Sequence, residues 1–164
     1  MEPAERYERL CKGAAQSSKG FLDRRARRKH AASVVSHLLA EYLGMPNSDV
    51  TVVEVDVNLR SKGEKLPIGS DINLQPGDDG LWYFGLDIHF EKPGTSHFGG
   101  VVLYIGVDVV SEGFAMKHEN KHCVPELTKE NLERFMQEVY ENILDSYSHP
   151  LSKRRNSIGF INEE

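Results

Sequence analysis

Two stretches of strict alternation constrain this chain more than anything else in it. Residues 81–91 read LWYFGLDIHFE and residues 101–110 read VVLYIGVDVV, joined by a loop rich in Gly, Pro and Ser. In the first, Trp82, Phe84, Leu86, Ile88 and Phe90 alternate with Tyr83, Gly85, Asp87, His89 and Glu91. In the second, Val101, Leu103, Ile105, Val107 and Val109 alternate with Val102, Tyr104, Gly106, Asp108 and Val110. A period of two belongs to a strand with one dry face and one wet face. The pair is therefore predicted to be an antiparallel hairpin at the centre of a sheet. Residues 51–60 add another strand, with Val53, Val55, Val57 and Leu59 expected inward and Glu54, Asp56, Asn58 and Arg60 outward.

Helical spacing flanks these strands. Between residues 21 and 43, Val34, Val35, Leu38, Leu39, Tyr42 and Leu43 form one broad apolar stripe, closed by Gly44 as a C-cap with Pro46 beyond. Projected back, that stripe meets Arg24, Arg27 and Arg28, and arginines do not line a core without partners. This end of the helix is expected to overhang the sheet or to meet something acidic. Residues 1–20 are polar and allow a short helix, with a break at residues 17–20. A second helix carries Leu132, Phe135, Met136, Val139, Tyr140, Ile143 and Tyr147. Thr128 is its expected N-cap, and Leu127 and Leu132 form a hydrophobic staple. Residues 61–80 hold two prolines and four glycines, and read as a functional loop or as one containing a short edge strand near residues 66–74. Residues 111–124 fit a strand or a helix equally well.

The elements add up to an α+β fold in two layers, an antiparallel sheet of about four to five strands with helices packed on one face. A chain of 164 residues is the size of one domain, here assigned to residues 1–150, with a polar mobile tail over 151–164. At this length a chain buries roughly 70% of its unfolded surface, so neither disulfide nor metal is needed for folding. Cys11 and Cys123 stand far apart with no CxxC spacing, which favours reduced thiols and a cytoplasmic setting. The charged start lacks the apolar core of a secretory signal, and no apolar run reaches the ~20 residues of a membrane span.

The wet face of the predicted sheet carries Tyr83, Asp87, His89, Tyr104 and Asp108. Tyr-x-Gly-x-Asp occurs on both central strands, and a mid-strand glycine often marks close approach of a ligand or another backbone. These residues are the candidate binding site, an acidic surface walled by tyrosines for a small polar or cationic ligand or a basic protein segment. Alternation by itself also demands polar residues on an open face, and glycines also mark bulges.

His118-Glu119-Asn120-Lys121-His122 matches H-E-x-x-H. On a helix, His118 and His122 would share one face and one zinc ion, with Glu119 as general base on the metal-bound water. Such a site needs a third protein ligand. Glu141 lies downstream in Glu141-Asn142-Ile143-Leu144-Asp145, an E-x-x-x-D pattern. The motif and the position of Glu141 resemble the glutamate-ligand zinc metallopeptidases over roughly residues 111–145. The resemblance implies zinc held by His118, His122 and Glu141. Lys117, Asn120, Lys121 and Pro125 depart from that family's buried, uncharged motif helix.

Arg24, Arg25, Arg27, Arg28 and Lys29 give the first long helix a basic start that fits phosphates, a nucleic-acid reading set against a net charge of −5. Arg154, Arg155 and Ser157 have the spacing of a basophilic kinase site. No glycine-rich phosphate loop follows a strand. The first reading is thus a binding or interaction module without a cofactor, with a zinc hydrolase and a nucleic-acid contact as alternatives. An exposed edge strand pairing across a two-fold axis would make it a homodimer.

Overall fold

The computed structural model describes residues 2–91, 98–148 and 158–160. The fold is α+β. One antiparallel sheet carries two long helices, α1 (Pro3–Tyr42) and α2 (Lys129–Ser148). In chain order the strands are β1 (Val50–Val55), β2 (Ser61–Pro67), β3 (Gln75–Pro76), β4 (Trp82–Glu91), β5 (Phe98–Val110), β6 (Gly113–Lys117), β7 (Lys121–Val124) and β8 (Ile158–Phe160). The spatial order is β2-β1-β4-β5-β6-β7, with the short β3 and β8 pairing with β4 and β5 respectively. The sheet is thus wider than the sequence suggests. Of the tail expected over 151–164, Ile158–Phe160 is a strand on β5, and the rest lies outside the described residues. The kinase-site pattern at Arg154, Arg155 and Ser157 lies there too.

The central hairpin is antiparallel as the alternation implies, paired from Trp82 opposite Val107 to Glu91 opposite Phe98. Phe84, Leu86, Ile88, Val101, Leu103, Ile105 and Val107 form the dry face. They pack with Ala32, Val35 and Leu39 of α1 and with Leu132, Phe135, Met136 and Val139 of α2 in the main core. Phe84, Leu86, Leu103 and Ile105 are fully buried.

β1 departs from expectation. Val52 lies opposite Leu86, so Val50 and Val52 face the helices, while Val53 and Val55 point to the other side. The strand also ends early. The Asp56 carboxylate accepts the N–H groups of Asn58 and Arg60 at 2.8 and 3.0 Å, and Leu59 takes a left-handed φ of 54°. This turn leaves Val57 exposed and sends the chain back as β2, in the region read as a loop or as one holding a short edge strand.

α1 is one helix where two were expected. Its start is set by Pro3 at the first helical position and by Glu5, whose carboxylate accepts the Glu2 N–H at 3.1 Å. Its end is a Schellman motif. Gly44 N–H donates to the Glu41 carbonyl and Met45 N–H to the Ala40 carbonyl, both at 3.0 Å, with Gly44 at φ 67°. Residues 2–27 are exposed throughout, so more than half the helix extends beyond the sheet. At 1.5 Å per residue the overhang is about 36 Å long.

Candidate functional site

The face of the sheet away from the helices is closed rather than open. Tyr83, Val55, Leu81 and Ala115 are buried in a second apolar cluster, with Leu59, Tyr104 and Val110 packed against it. Each mid-strand glycine makes room for a neighbouring side chain, Tyr83 at Gly106 and Val53 at Gly85. Tyr83 stands opposite Gly106, and Tyr104 stands opposite Gly85. A Cβ on Gly106 would lie 2.8 Å from the Tyr83 ring, and one on Gly85 would lie 2.6 Å from Val53 Cγ1. The mid-strand glycines make room for this chain's own side chains. Gly77 closes over the other side of the Tyr83 ring, since a Cβ there would come within 2.6 Å of it.

The carboxylates on this side are already matched with bases. Asp87 is 1% exposed, with Lys65 Nζ 2.5 Å from Oδ2 and His89 Nε2 3.3 Å from Oδ1. The Tyr83 hydroxyl donates to Asp79 at 2.6 Å, and Lys117 Nζ lies 3.0 Å from the same oxygen. Burial works against the Asp79 charge. The bonds from Tyr83, Lys117 and the Leu81 N–H outweigh it and hold the carboxyl below its usual range. Burial, reinforced by Asp79, pushes the Tyr83 phenol well above its ordinary value. Of the five candidate residues, the structure brings Asp87 and His89 together and sets Tyr83 and Tyr104 on the shared cluster. Asp108 goes elsewhere. It stands one residue past the end of β4, and its carboxylate accepts Arg28 Nε of α1 at 2.7 Å.

The H-E-x-x-H segment is not helical. β6 and β7 form a hairpin in which Lys117 pairs with Lys121 and Met116 with His122, leaving 118–120 as the turn. Backbone pairing of β6 with β5 fixes the segment as extended. His118 is buried and its Nδ1 lies 3.4 Å from the Tyr104 carbonyl, which accepts from it. His122 Nε2 instead donates to Glu138 at 2.7 Å. Glu138 also accepts the Asn120 N–H at 3.1 Å and its side-chain amide at 2.5 Å, so it clamps the turn. Glu141, the expected third ligand, accepts Gln137 Nε2 at 2.9 Å, and Glu119 is exposed in the turn. Among the described residues no three His, Cys, Asp or Glu side chains are gathered as metal ligands would be. The motif helix implied by the metallopeptidase resemblance is therefore corrected to a clamped hairpin.

A concave surface lies instead where α1 leaves the sheet. Trp82, at the start of β4, supports Arg28, whose guanidinium carbon is 4.5 Å from the ring centroid while its Nε holds Asp108. Arg27 caps Phe114 in the same way at 5.3 Å. These contacts answer the question raised by arginines on an apolar stripe, since aromatic faces and one carboxylate partner them. Beside Arg28 opens a cleft of about 440 Å³ lined by Ser17, Gly20, Phe21, Arg24, Arg28 and Trp82. A second cleft of about 160 Å³ shares Phe21, Arg28 and Trp82 and adds Arg25, Lys29, Asn73 and Leu74. A third, of about 170 Å³, continues past Lys29 under residues 69–72. Lys29 lies 2.5 Å from Asp71 and, by that contact, holds the Asp71 carboxyl below its usual range. Arg25 donates to Asn73 at 3.4 Å. Arg24 has no ion-pair partner among the described residues. The sequence flagged the arginines but not Phe21, Asn73 or Trp82. Trp82 sits on the dry alternation and there reads as core.

No family model, curated protein or solved structure matches this chain.

Proposed function

We propose that the protein is a binding module that takes an acidic segment of another protein in the groove between α1 and the Trp82 end of the sheet. The observation that supports this is the convergence of Arg24 and Arg25 with Phe21 and Trp82 on adjoining clefts, beside Arg28 that Asp108 already holds. Cations beside aromatic walls suit a carboxylate followed by an apolar side chain, with the charge pairing at the rim and the apolar group covering the rings. The uncovered sheet face, the first candidate from sequence, has less support. Asp79, Asp87 and Asp108 each already face a base, so a cationic ligand would have to displace Lys117, Lys65 or Arg28.

The nucleic-acid reading rests on the same arginines. It has less support because the net charge is −5, where nucleic-acid-binding domains are usually basic. No helix of the described residues is long and apolar enough to cross a membrane. Trp82 is the single tryptophan of the chain, so its emission reports on the groove. Titration with an array of short Glu/Phe- and Glu/Leu-bearing peptides is expected to change Trp82 emission saturably. Arg24→Ala with Arg25→Ala should weaken the response by about tenfold or more, in line with losing charged rim contacts, while far-UV circular dichroism stays unchanged. No response to any acidic peptide would defeat the reading. A stronger, salt-sensitive response to a single-stranded oligonucleotide would transfer the groove to nucleic acid.

A further inference from the structure

The overhang of α1 meets its own chain only at its base, where Arg25 bonds Asn73 and Arg27 covers Phe114. Residues 2–27 are exposed, yet Tyr7 and Leu10 are each 71% exposed, and Phe21 and Leu22 are 55% and 59% exposed. The segment contains Gly13, Ser17, Ser18 and Gly20, all poor helix formers, and Gly13 and Gly20 have open space where a Cβ would stand. Helical stability in proteins comes mostly from packing an apolar face, and Tyr7 and Leu10 stay exposed. Tyr7, Leu10, Ala14, Ser18 and Phe21 run at helical spacing along the line that, further on, reaches Ala32, Ser36 and Leu39 against the sheet. The helix thus presents an unpartnered continuation of its own packing face.

A second exposed apolar stripe among the described residues lies on α2. Tyr140, Leu144 and Tyr147 are spaced i, i+4 and i+7 and are 40%, 48% and 46% exposed. The charges of the two helices are opposite. Residues 3–20, before the groove, hold four Lys and Arg against two Asp and Glu. α2 holds five Asp and Glu against two Lys and Arg. Two overhangs laid on each other would bring like charge together, whereas an overhang laid on α2 would match both apolar and charged surface.

We propose that two copies of this chain associate reciprocally, the overhang of each lying on α2 of the other, with Tyr7 and Leu10 of one copy against Tyr140 and Leu144 of the second. The contact occurs twice around a two-fold axis and closes the assembly. Phe21 stays at the base of the overhang, so the groove remains available, and dimerisation and peptide binding can fail separately.

The test is the mass of the full chain by sedimentation equilibrium over micromolar concentrations. Twice the 18.5 kDa chain mass is expected. Leu10→Glu and Leu144→Lys should each yield a folded monomer, judged by unchanged circular dichroism and Trp82 emission. An equimolar mixture of the two variants should recover dimers. One interface in the mixed pair is native, and the other sets the introduced glutamate against the introduced lysine. Self-pairing of overhangs would not give that recovery. A monomeric wild type, a Leu144→Lys variant that stays dimeric, or a mixture that stays monomeric would each overturn the proposal.

Discussion

Single residues on the uncovered side of the sheet hold one another in place. Tyr83 fills the space above Gly106 and is pinned by Asp79, so a side chain at Gly106 meets a ring with nowhere to go. Gly106→Ala is expected to lose about 1–3 kcal/mol by overpacking. In a Tyr83→Leu background the same substitution should cost less, and urea denaturation of the four proteins of that cycle measures the coupling. His118 carries a pH dependence. Burial lowers its pKa below the ordinary 6.5, against the opposing carbonyl bond of Tyr104 and the charges of Glu119 and Glu138. Below that ordinary value the unfolded chain therefore binds more protons than the folded one. Stability contributed by neutral His118 is full above about pH 6.5 and falls as pH drops toward the folded value, then levels off. A shallower loss between pH 7 and 5 in His118→Gln than in the wild type is the expected result, read from urea midpoints. An unchanged slope would place the acid sensitivity elsewhere.

Elements owe their form to partners more than to local preference. Residues 113–124 carry a helix-compatible spacing, but pairing of β6 with β5 and of β7 with β6 makes them a hairpin, and Glu138 of α2 locks its turn. Glu138→Ala leaves the Asn120 amide and His122 without their acceptor, and is expected to cost about 1–3 kcal/mol. A loss below about 0.3 kcal/mol in chemical denaturation would mean that the clamp is not formed in solution. The central hairpin was legible because both strands alternate without a break over their buried length. β1 was misread by one face, since a run with valine at 50, 52, 53, 55 and 57 satisfies either register. Only its pairing with Leu86 and Gly85 chooses between them. β2 starts before the edge strand that residues 66–74 suggest, because it faces solvent and carries Lys62, Glu64 and Lys65 rather than an apolar alternation.

At the scale of the whole molecule, stability is unevenly spread. Phe84 is fully buried at the centre of the main core, and Phe84→Ala should cost about 3–5 kcal/mol. The overhang contributes nothing to that core. Hydrogen exchange at low protein concentration should find amides of residues 3–27 open while those of residues 31–40 stay protected, and raising the concentration should protect the first set as copies associate. Equal protection of both sets at the lowest concentration would contradict a monomeric overhang. The sequence by itself determined the fold class, the helix-facing side of the central hairpin and the C-terminal cap of α1, because each follows from local spacing or from one residue's conformational needs. Gly44 ends the helix as a left-handed residue must, and alternating apolar residues choose their own face. It also placed arginines where a core stripe should be, which announced a helix leaving its sheet. Only the tertiary structure decided what those arginines meet, that Gly106 and Gly85 make room for Tyr83 and Val53, and that H-E-x-x-H closes a hairpin. Each of these depends on which distant segment arrives opposite, and a one-dimensional pattern carries no such distance.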